Sequence, residues 1–253
     1  MARVLAFLIL GWLAAGPVMA AETRLAVRAL TLDAKFIGTS MAGMAVTVAD
    51  ADTGEVLDRG VTSGTTGNTD LILRTPKERY GQVSTEDSAV YVSTIDIDEP
   101  RRVRVTVRGP IAQPQTQAEA SSVRWVLPGK HVETGDGWLL VVPGFAVDVL
   151  APGAHTYVDD NPATMRVEAN VVMICGCPTE PDGTWDSNFI DVEATLRRNG
   201  ETVGTYPMSF TGTTSRYAVD VPSTDKGMYD VLVTAFDART GNAGVDRTSF
   251  VVR

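Results

Sequence analysis

The stretch that decides the fold lies in the second half of the chain and reads Arg166-Val167-Glu168-Ala169-Asn170-Val171-Val172-Met173-Ile174-Cys175-Gly176-Cys177-Pro178. In its first part, apolar or small side chains alternate with polar ones, which is the two-residue period of a strand that buries one face. The odd-numbered residues from Val167 onward form the core-facing side. Continued to the end of the stretch, the alternation predicts that Met173, Cys175 and Cys177 share that face.

The same period recurs along most of the chain. Val103, Val105 and Val107 alternate with polar residues, and helical periodicity is almost absent. The connections carry Asn or Asp followed by Gly, as in Arg198-Asn199-Gly200-Glu201, and these residues accept the left-handed conformations of tight hairpin turns. The sequence therefore predicts an all-β protein.

The N-terminus has the pattern of an export signal. Arg3 precedes an apolar run over residues 4–15, and Val18-Met19-Ala20 supplies small residues at the positions that a signal peptidase reads. We therefore expect a signal peptide over residues 1–20 and a mature protein that begins near Ala21. Because no later stretch reaches the roughly 20 apolar residues of a membrane-spanning helix, we expect no membrane insertion and a soluble protein that is periplasmic or secreted.

The formal net charge of the chain is −9. An acidic surface repels nucleic acid and anionic lipid, both of which require a basic face. The charge favours cations or basic proteins as partners, and it also fits a surface that keeps an exported protein soluble. We expect a protein partner and no nucleic acid.

Two strand-rich blocks flank an irregular middle. We predict an N-terminal β-sandwich over residues 22–110 and a C-terminal β-sandwich over residues 162–253. Residues 111–161 between them begin with a Pro- and Gln-containing segment typical of a linker. They continue into two apolar runs joined at Pro143-Gly144, which indicate an added hairpin or the junction between the two sandwiches.

Each block resembles a known type of sandwich. In the first, Met44-Ala45-Val46-Thr47-Val48-Ala49-Asp50-Ala51-Asp52-Thr53-Gly54-Glu55-Val56-Leu57, followed by Gly60-Val61-Thr62-Ser63-Gly64-Thr65-Thr66-Gly67, resembles the transthyretin-like or carboxypeptidase-regulatory module. In the last, Tyr229-Asp230-Val231-Leu232-Val233-Thr234-Ala235 resembles a late core strand of an immunoglobulin-like domain. The resemblance implies a fold class, and fold by itself does not specify a function.

The only two cysteines of the chain, Cys175 and Cys177, are its sharpest chemical signal. In an oxidising compartment such a pair forms a disulfide, binds a metal, or is simply packed or joined to another molecule. Thiolate and thioether ligands suit copper, so Cys175, Cys177 and Met173 are candidate ligands, with His131 as a further candidate. Two cysteines alone would half complete a zinc site.

The loop that follows the cysteines contains three carboxylates and Trp185, and it could carry oxygen ligands or a partner-binding tip. No nucleophile elbow, zinc-protease helix or phosphate-binding loop occurs in the sequence. The leading hypothesis is an exported accessory or binding protein that acts through a partner or copper. The alternatives are a thiol/disulfide redox protein and a structural or surface-assembly module.

Overall fold

The structure is a computed structural model that describes residues 20–159, 163–223 and 225–253. Apart from Ala20, the expected signal peptide lies outside the described residues. In the described part of the chain, no helix is long and apolar enough to cross a membrane. Among the residues described, helical structure is confined to the short turns Thr39–Met41, Asp70–Arg74, Pro114–Thr116 and Ser187–Phe189.

The strands of the first half are β1 (Ala21–Thr31), β2 (Ala45–Asp50), β3 (Val56–Val61), β4 (Tyr91–Ile97), β5 (Arg101–Gly109), β6 (Ala118–Val126) and β7 (Trp138–Val142). Those of the second half are β8 (Phe145–Ala151), β9 (Thr156–Val158), β10 (Thr164–Met173), β11 (Asp191–Arg198), β12 (Glu201–Pro207), β13 (Ser209–Phe210), β14 (Arg216–Pro222), β15 (Gly227–Asp237) and β16 (Asn242–Val252).

These strands form four sheets. The first half contains the sheets β4-β1-β7 and β3-β2-β5-β6, and the second half contains β13-β14-β10-β8 and β12-β11-β15-β16-β9. The predicted all-β sandwich class is confirmed. Most neighbouring strands are antiparallel, which allows one face of each sheet to be buried while the other faces water.

Strand β5 shows why alternation produces this architecture. Val103, Val105 and Val107 are fully buried, whereas Arg104 and Arg108 between or beyond them are exposed. Burial of each valine side chain contributes on the order of 2 kcal/mol. A shift of the register by one residue would exchange the two faces and lose that stabilisation.

The middle of the chain is more regular than its composition indicates. Strand β6 begins at Ala118, inside the segment predicted as a linker, and pairs along its length with β5. The two apolar runs of the expected hairpin form β7 and β8, but they do not pair with each other. Strand β7 pairs with β1, and β8 pairs with β10. Local composition could not reveal this, because the partners of these strands are distant in sequence; the domain boundaries themselves stay a prediction.

The connection between β7 and β8 crosses from one pair of sheets to the other. We call the junction between the two pairs of sheets the seam. Beside it, the backbone N–H of Leu32 donates to the Val142 carbonyl at 3.0 Å. The Asn242 side chain joins both halves, since its amide donates to the Leu32 carbonyl at 3.0 Å and its oxygen accepts from Gly144 N–H at 2.8 Å. Buried apolar side chains from all four sheets form one continuous core.

Candidate functional site

The two cysteines occupy a tight turn at the end of β10. The Gly176 N–H donates to the Met173 carbonyl at 2.7 Å, and the Met173 N–H donates to the Cys177 carbonyl at 2.9 Å. Gly176 has φ +85°, a left-handed conformation that glycine adopts at little cost. The chain reverses direction here, so the alternation predicted to continue through Cys177 stops at Met173.

The turn brings the two thiols into contact. Cys175 Sγ and Cys177 Sγ are 2.8 Å apart, and both cysteines are free. Their relative exposures are 0 % and 7 %, respectively. The pair is therefore almost entirely shielded from solvent and from any reactant in solution.

The first half of the chain supplies part of the environment of the sulfur atoms. Burial raises the pKa of the Cys175 thiol, but hydrogen bonds to its sulfur outweigh burial and lower that pKa from 9.0 to about 7. The donors are the Cys177 thiol, the backbone N–H groups of Lys35 and Cys177, and the Thr31 hydroxyl. Interaction with Cys175, together with burial, raises the pKa of Cys177. The pair thus favours a Cys175 thiolate that accepts from a Cys177 thiol.

Thr31 is the last residue of β1, and its hydroxyl lies beside the two sulfur atoms. It is buried, and it has no hydrogen-bond partner in the geometry of the described residues. A buried hydroxyl without a partner costs about 1–3 kcal/mol. A thiolate at Cys175 would offer it an acceptor, and Thr31 is one of the groups that lower the pKa of Cys175.

Met41 also reaches the turn from the first half. A Cβ atom placed on Gly176 would lie 3.0 Å from Met41 Sδ and 3.2 Å from Met41 Cγ, so the thioether packs directly on the glycine between the cysteines. Beyond the turn, the Trp185 indole N–H donates to the Asp33 carbonyl at 2.9 Å. The loop that could have been a free binding tip therefore also lies against the first half.

The predicted ligands are only partly brought together. Met173 is buried at the end of β10, at the base of the cysteine turn. His131 is exposed, and its Nδ1 accepts from Arg24 N–H at 3.1 Å, near the start of β1. Strand β1 spans roughly 23 Å between Arg24 and Thr31 at the usual rise per residue, so His131 lies far from the sulfurs.

The remaining histidine is not at the site either. His155 forms a hydrogen bond with the Tyr157 hydroxyl at 3.0 Å, beside β9. Among residues 20–159, 163–223 and 225–253, no group of three or more His, Cys, Asp or Glu side chains could hold a metal ion. Sequence reasoning missed Thr31, Lys35 and Met41, because no motif or spacing connects them with the cysteines.

No protein-family model matches this chain, and neither does any curated protein. Among solved structures, an engineered protein is 16% identical over 51% of this chain and 24% of its own length, with a TM-score of 0.33. The fibronectin(III)-like modules of CbhA from Clostridium thermocellum are 12% identical, with 92% and 94% covered and a TM-score of 0.29. Titin domains Z1Z2 in complex with telethonin are 11% identical, with 93% and 89% covered and a TM-score of 0.26. These TM-scores are too low to support any assignment. The β-sandwich class of this chain is assigned from its strand pairing.

Proposed function

We propose that this chain is an exported, non-catalytic binding module in which the Cys175–Cys177 pair closes as a disulfide and acts as a structural clasp. The observation that carries the proposal is the position of the pair, which is buried in the seam under Thr31, Lys35 and Met41. A reactive centre needs access to its substrate, whereas a clasp needs burial. Export rests on the signal pattern of the N-terminus.

The separation of the sulfur atoms favours a disulfide over a shared metal ion. A disulfide bond is about 2.05 Å long, so the observed 2.8 Å must shorten by less than 1 Å. Two thiolates bound to one tetrahedral ion through bonds of about 2.3 Å would lie roughly 3.8 Å apart. Copper or zinc would therefore require the turn to open within a packed core.

Closure of the clasp follows ordinary thiol–disulfide exchange. The Cys175 thiolate attacks an external disulfide and releases one thiolate, and the Cys177 sulfur then displaces the second sulfur from the mixed disulfide. The two cysteines are oxidised and the external disulfide is reduced to one thiolate and one thiol, which takes the Cys177 proton. Because the folded pair is buried, we place this reaction during folding, before the seam closes.

The clasp contributes little through chain entropy. A loop of three residues gives about 1.6 kcal/mol by the loop-closure relation, near the lower end for disulfides. Its main effect is local, because it fixes the turn that carries the contacts with Thr31, Lys35 and Met41. We therefore expect the disulfide to hold the seam in one geometry rather than to determine whether the chain folds.

The test is a count of thiols in protein exported to an oxidising compartment. The denatured, unreduced chain should show no alkylatable thiol by mass spectrometry, and two after reduction. The Cys175→Ala/Cys177→Ala variant is the control for stability and should lose about 1–2 kcal/mol of unfolding free energy.

Two further measurements separate the clasp from its rivals. The native protein should not catalyse reduction of insulin. The reduced protein and the alanine variant should bind the same amount of Cu(I), with no additional ion held by the cysteines. Rapid alkylation of both thiols in the native, exported protein would contradict the clasp. One Cu(I) per chain, lost in the variant, would replace it with a metal site.

A further inference from the structure

The outer face of the sheet β3-β2-β5-β6 carries an arginine cluster that the clasp does not use. Arg104 and Arg108 of β5 and Arg59 of β3 are exposed on this face. Within the described residues, none of the three forms an ion pair, whereas Arg102 pairs with Asp52 at 2.7 Å. In a chain with a formal net charge of −9, this is a local concentration of positive charge.

The strand register places these arginines around a shallow trough. Strand β2 between them presents only small residues outward: Ala45 lies opposite Arg108, Thr47 opposite Arg59, and Ala49 opposite Arg104. Guanidinium groups bind carboxylates through paired N–H donors. The cluster is thus arranged to receive carboxylates that lie over or beside the trough.

The edge of the same sheet is open. Strand β6 pairs only with β5 in the described part of the chain, and it contains neither proline nor lysine, the residues that commonly protect such edges. On its outer face, Val123 lies opposite Arg104 and is 40% exposed, and Trp125 lies opposite Arg102 and is 66% exposed. A free row of backbone donors and acceptors therefore borders the arginine cluster.

Among the other edge strands of the described residues, two are very short and a third is partly covered. Strands β9 and β13 contain three and two residues. Strand β8 is longer, but the Gln115 amide donates to the Val147 carbonyl at 3.0 Å and the Thr116 hydroxyl donates to the Phe145 carbonyl. The nine-residue β6 has no comparable cover among the described residues.

We propose that β6 is the docking edge for an acidic polypeptide segment, which adds to the sheet as an extended strand and places its carboxylates toward Arg104 and Arg108. An added strand would lie about 10 Å from β5, one strand beyond β6. An extended arginine and an extended glutamate side chain bridge that distance together. Backbone pairing supplies affinity, and the arginines select acidic sequences.

Two local charges refine the partner. Glu119 lies opposite Arg108 and offsets part of its charge, so the acidic positions of the partner should face Arg104 most closely. At the other end, Trp125 borders a cavity of about 400 Å³ that is also lined by Asp50, Asp52 and Glu55. An apolar side chain of the partner fits best beside the exposed indole of Trp125.

The proposal deepens the binding role proposed above and is tested by fluorescence anisotropy with the whole exported protein. The probe is a short labelled peptide in which glutamate alternates with valine. We expect saturable binding that weakens at least about tenfold when alternate peptide nitrogens are methylated, because strand pairing is then blocked. Equal binding of the methylated peptide, or no saturable binding of the parent, would overturn strand addition.

Charge-reversal variants test the arginines. Arg104→Glu/Arg108→Glu should weaken peptide binding at least about tenfold, and Glu119→Gln should strengthen it. The matched control, Arg79→Glu/Lys226→Glu, makes the same change of net charge at exposed positions outside the sheet and should stay within about twofold. Unchanged unfolding curves establish that the variants fold, and equal losses in both double variants would contradict a local arginine site.

A polysaccharide is the competing occupant. If polygalacturonate binds at Arg104 and Arg108 while the peptide does not, the face recognises acidic sugar and the docking proposal is wrong. The docking proposal and the clasp are tested separately. If the disulfide is closed but the peptide does not bind, the clasp is retained and the docking proposal is wrong.

Discussion

The cysteine turn and the arginine face are built from the same alternating strands, yet they differ in what completes them. The two cysteines of the turn are buried, and Thr31, Lys35 and Met41 from the other half of the chain lie against the turn. The arginine face has neighbours only within its own sheet, and its edge strand β6 is unpaired on one side in the described residues. The cysteine pair, which looks reactive in the sequence, is buried. The arginine face, which is available to a partner, belongs to no recognisable sequence motif.

The largest expected effect comes from filling the space at the cysteine turn. Gly176→Ala imposes both a left-handed alanine and contact with Met41, and we expect a loss of about 3 kcal/mol of unfolding free energy. Gly54→Ala is the matched control, since Gly54 has φ +79° with nothing within 4 Å, and should lose only about 1 kcal/mol. Urea unfolding measures both, and equal losses would show that the Met41 contact is unimportant.

The next effect separates the two faces of β5. Val105→Ala removes two buried methyl groups and should cost about 2 kcal/mol. Arg104→Ala, at the adjacent exposed position, should change stability by no more than about 0.5 kcal/mol. If Arg104→Ala destabilised the protein as much as Val105→Ala, the arginine face would have a structural role in place of a docking role.

A smaller effect is the pH dependence of the reduced protein. The folded pKa of Cys175, about 7, lies below its ordinary value of 9.0. A thiol whose pKa is lower in the folded than in the unfolded chain stabilises the folded state. That stabilisation is complete above the pKa of the unfolded chain and is lost as the pH falls through the pKa of the folded chain. The unfolding free energy should therefore rise by on the order of 1 kcal/mol between pH 7 and 9.

Above pH 9 the unfolding free energy should fall, because the raised pKa of Cys177 keeps its thiol protonated in the folded chain while the unfolded chain loses that proton. Denaturant unfolding at a series of pH values, with the oxidised protein as the control, provides the measurement. The oxidised protein lacks both thiols and should show no such rise. A rise of equal size in the oxidised protein would assign the effect to other groups.

The smallest effect on stability is expected at Thr31. Thr31→Val keeps the shape of the side chain and removes a buried hydroxyl that lowers the pKa of Cys175. Oxidised protein should change by about 0.5 kcal/mol or less, while the pKa of Cys175 in reduced protein should rise. The ultraviolet absorbance of the thiolate follows that pKa, and an unchanged titration would separate Thr31 from the sulfur pair.

The sequence predicted what depends on local periodicity. The alternation of Val103, Val105 and Val107 corresponds to the buried face of β5, and the alternation before Met173 corresponds to β10. The alternation failed after Met173, where the strand ends in a turn that contains the left-handed Gly176. A two-residue period does not show where a strand ends, because glycine permits both an extended and a left-handed conformation.

The sequence could not predict which distant residues meet. Thr31, Lys35 and Met41 reach the cysteines because the β7–β8 connection joins the two pairs of sheets, and no spacing rule connects them with Cys175. His131 shows the opposite error, since residue type made it a candidate ligand and the fold places it at the far end of β1. Strand order, rather than composition, determines both outcomes.

The central claim is that Cys175 and Cys177 form a buried clasp, and the distance between their sulfurs in a crystal of the exported protein tests it most directly. The clasp predicts a separation of about 2.05 Å, with Met41 still packed on Gly176. Sulfurs roughly 3.8 Å apart around a bound ion, or a turn that has moved out of the seam into solvent, would contradict it.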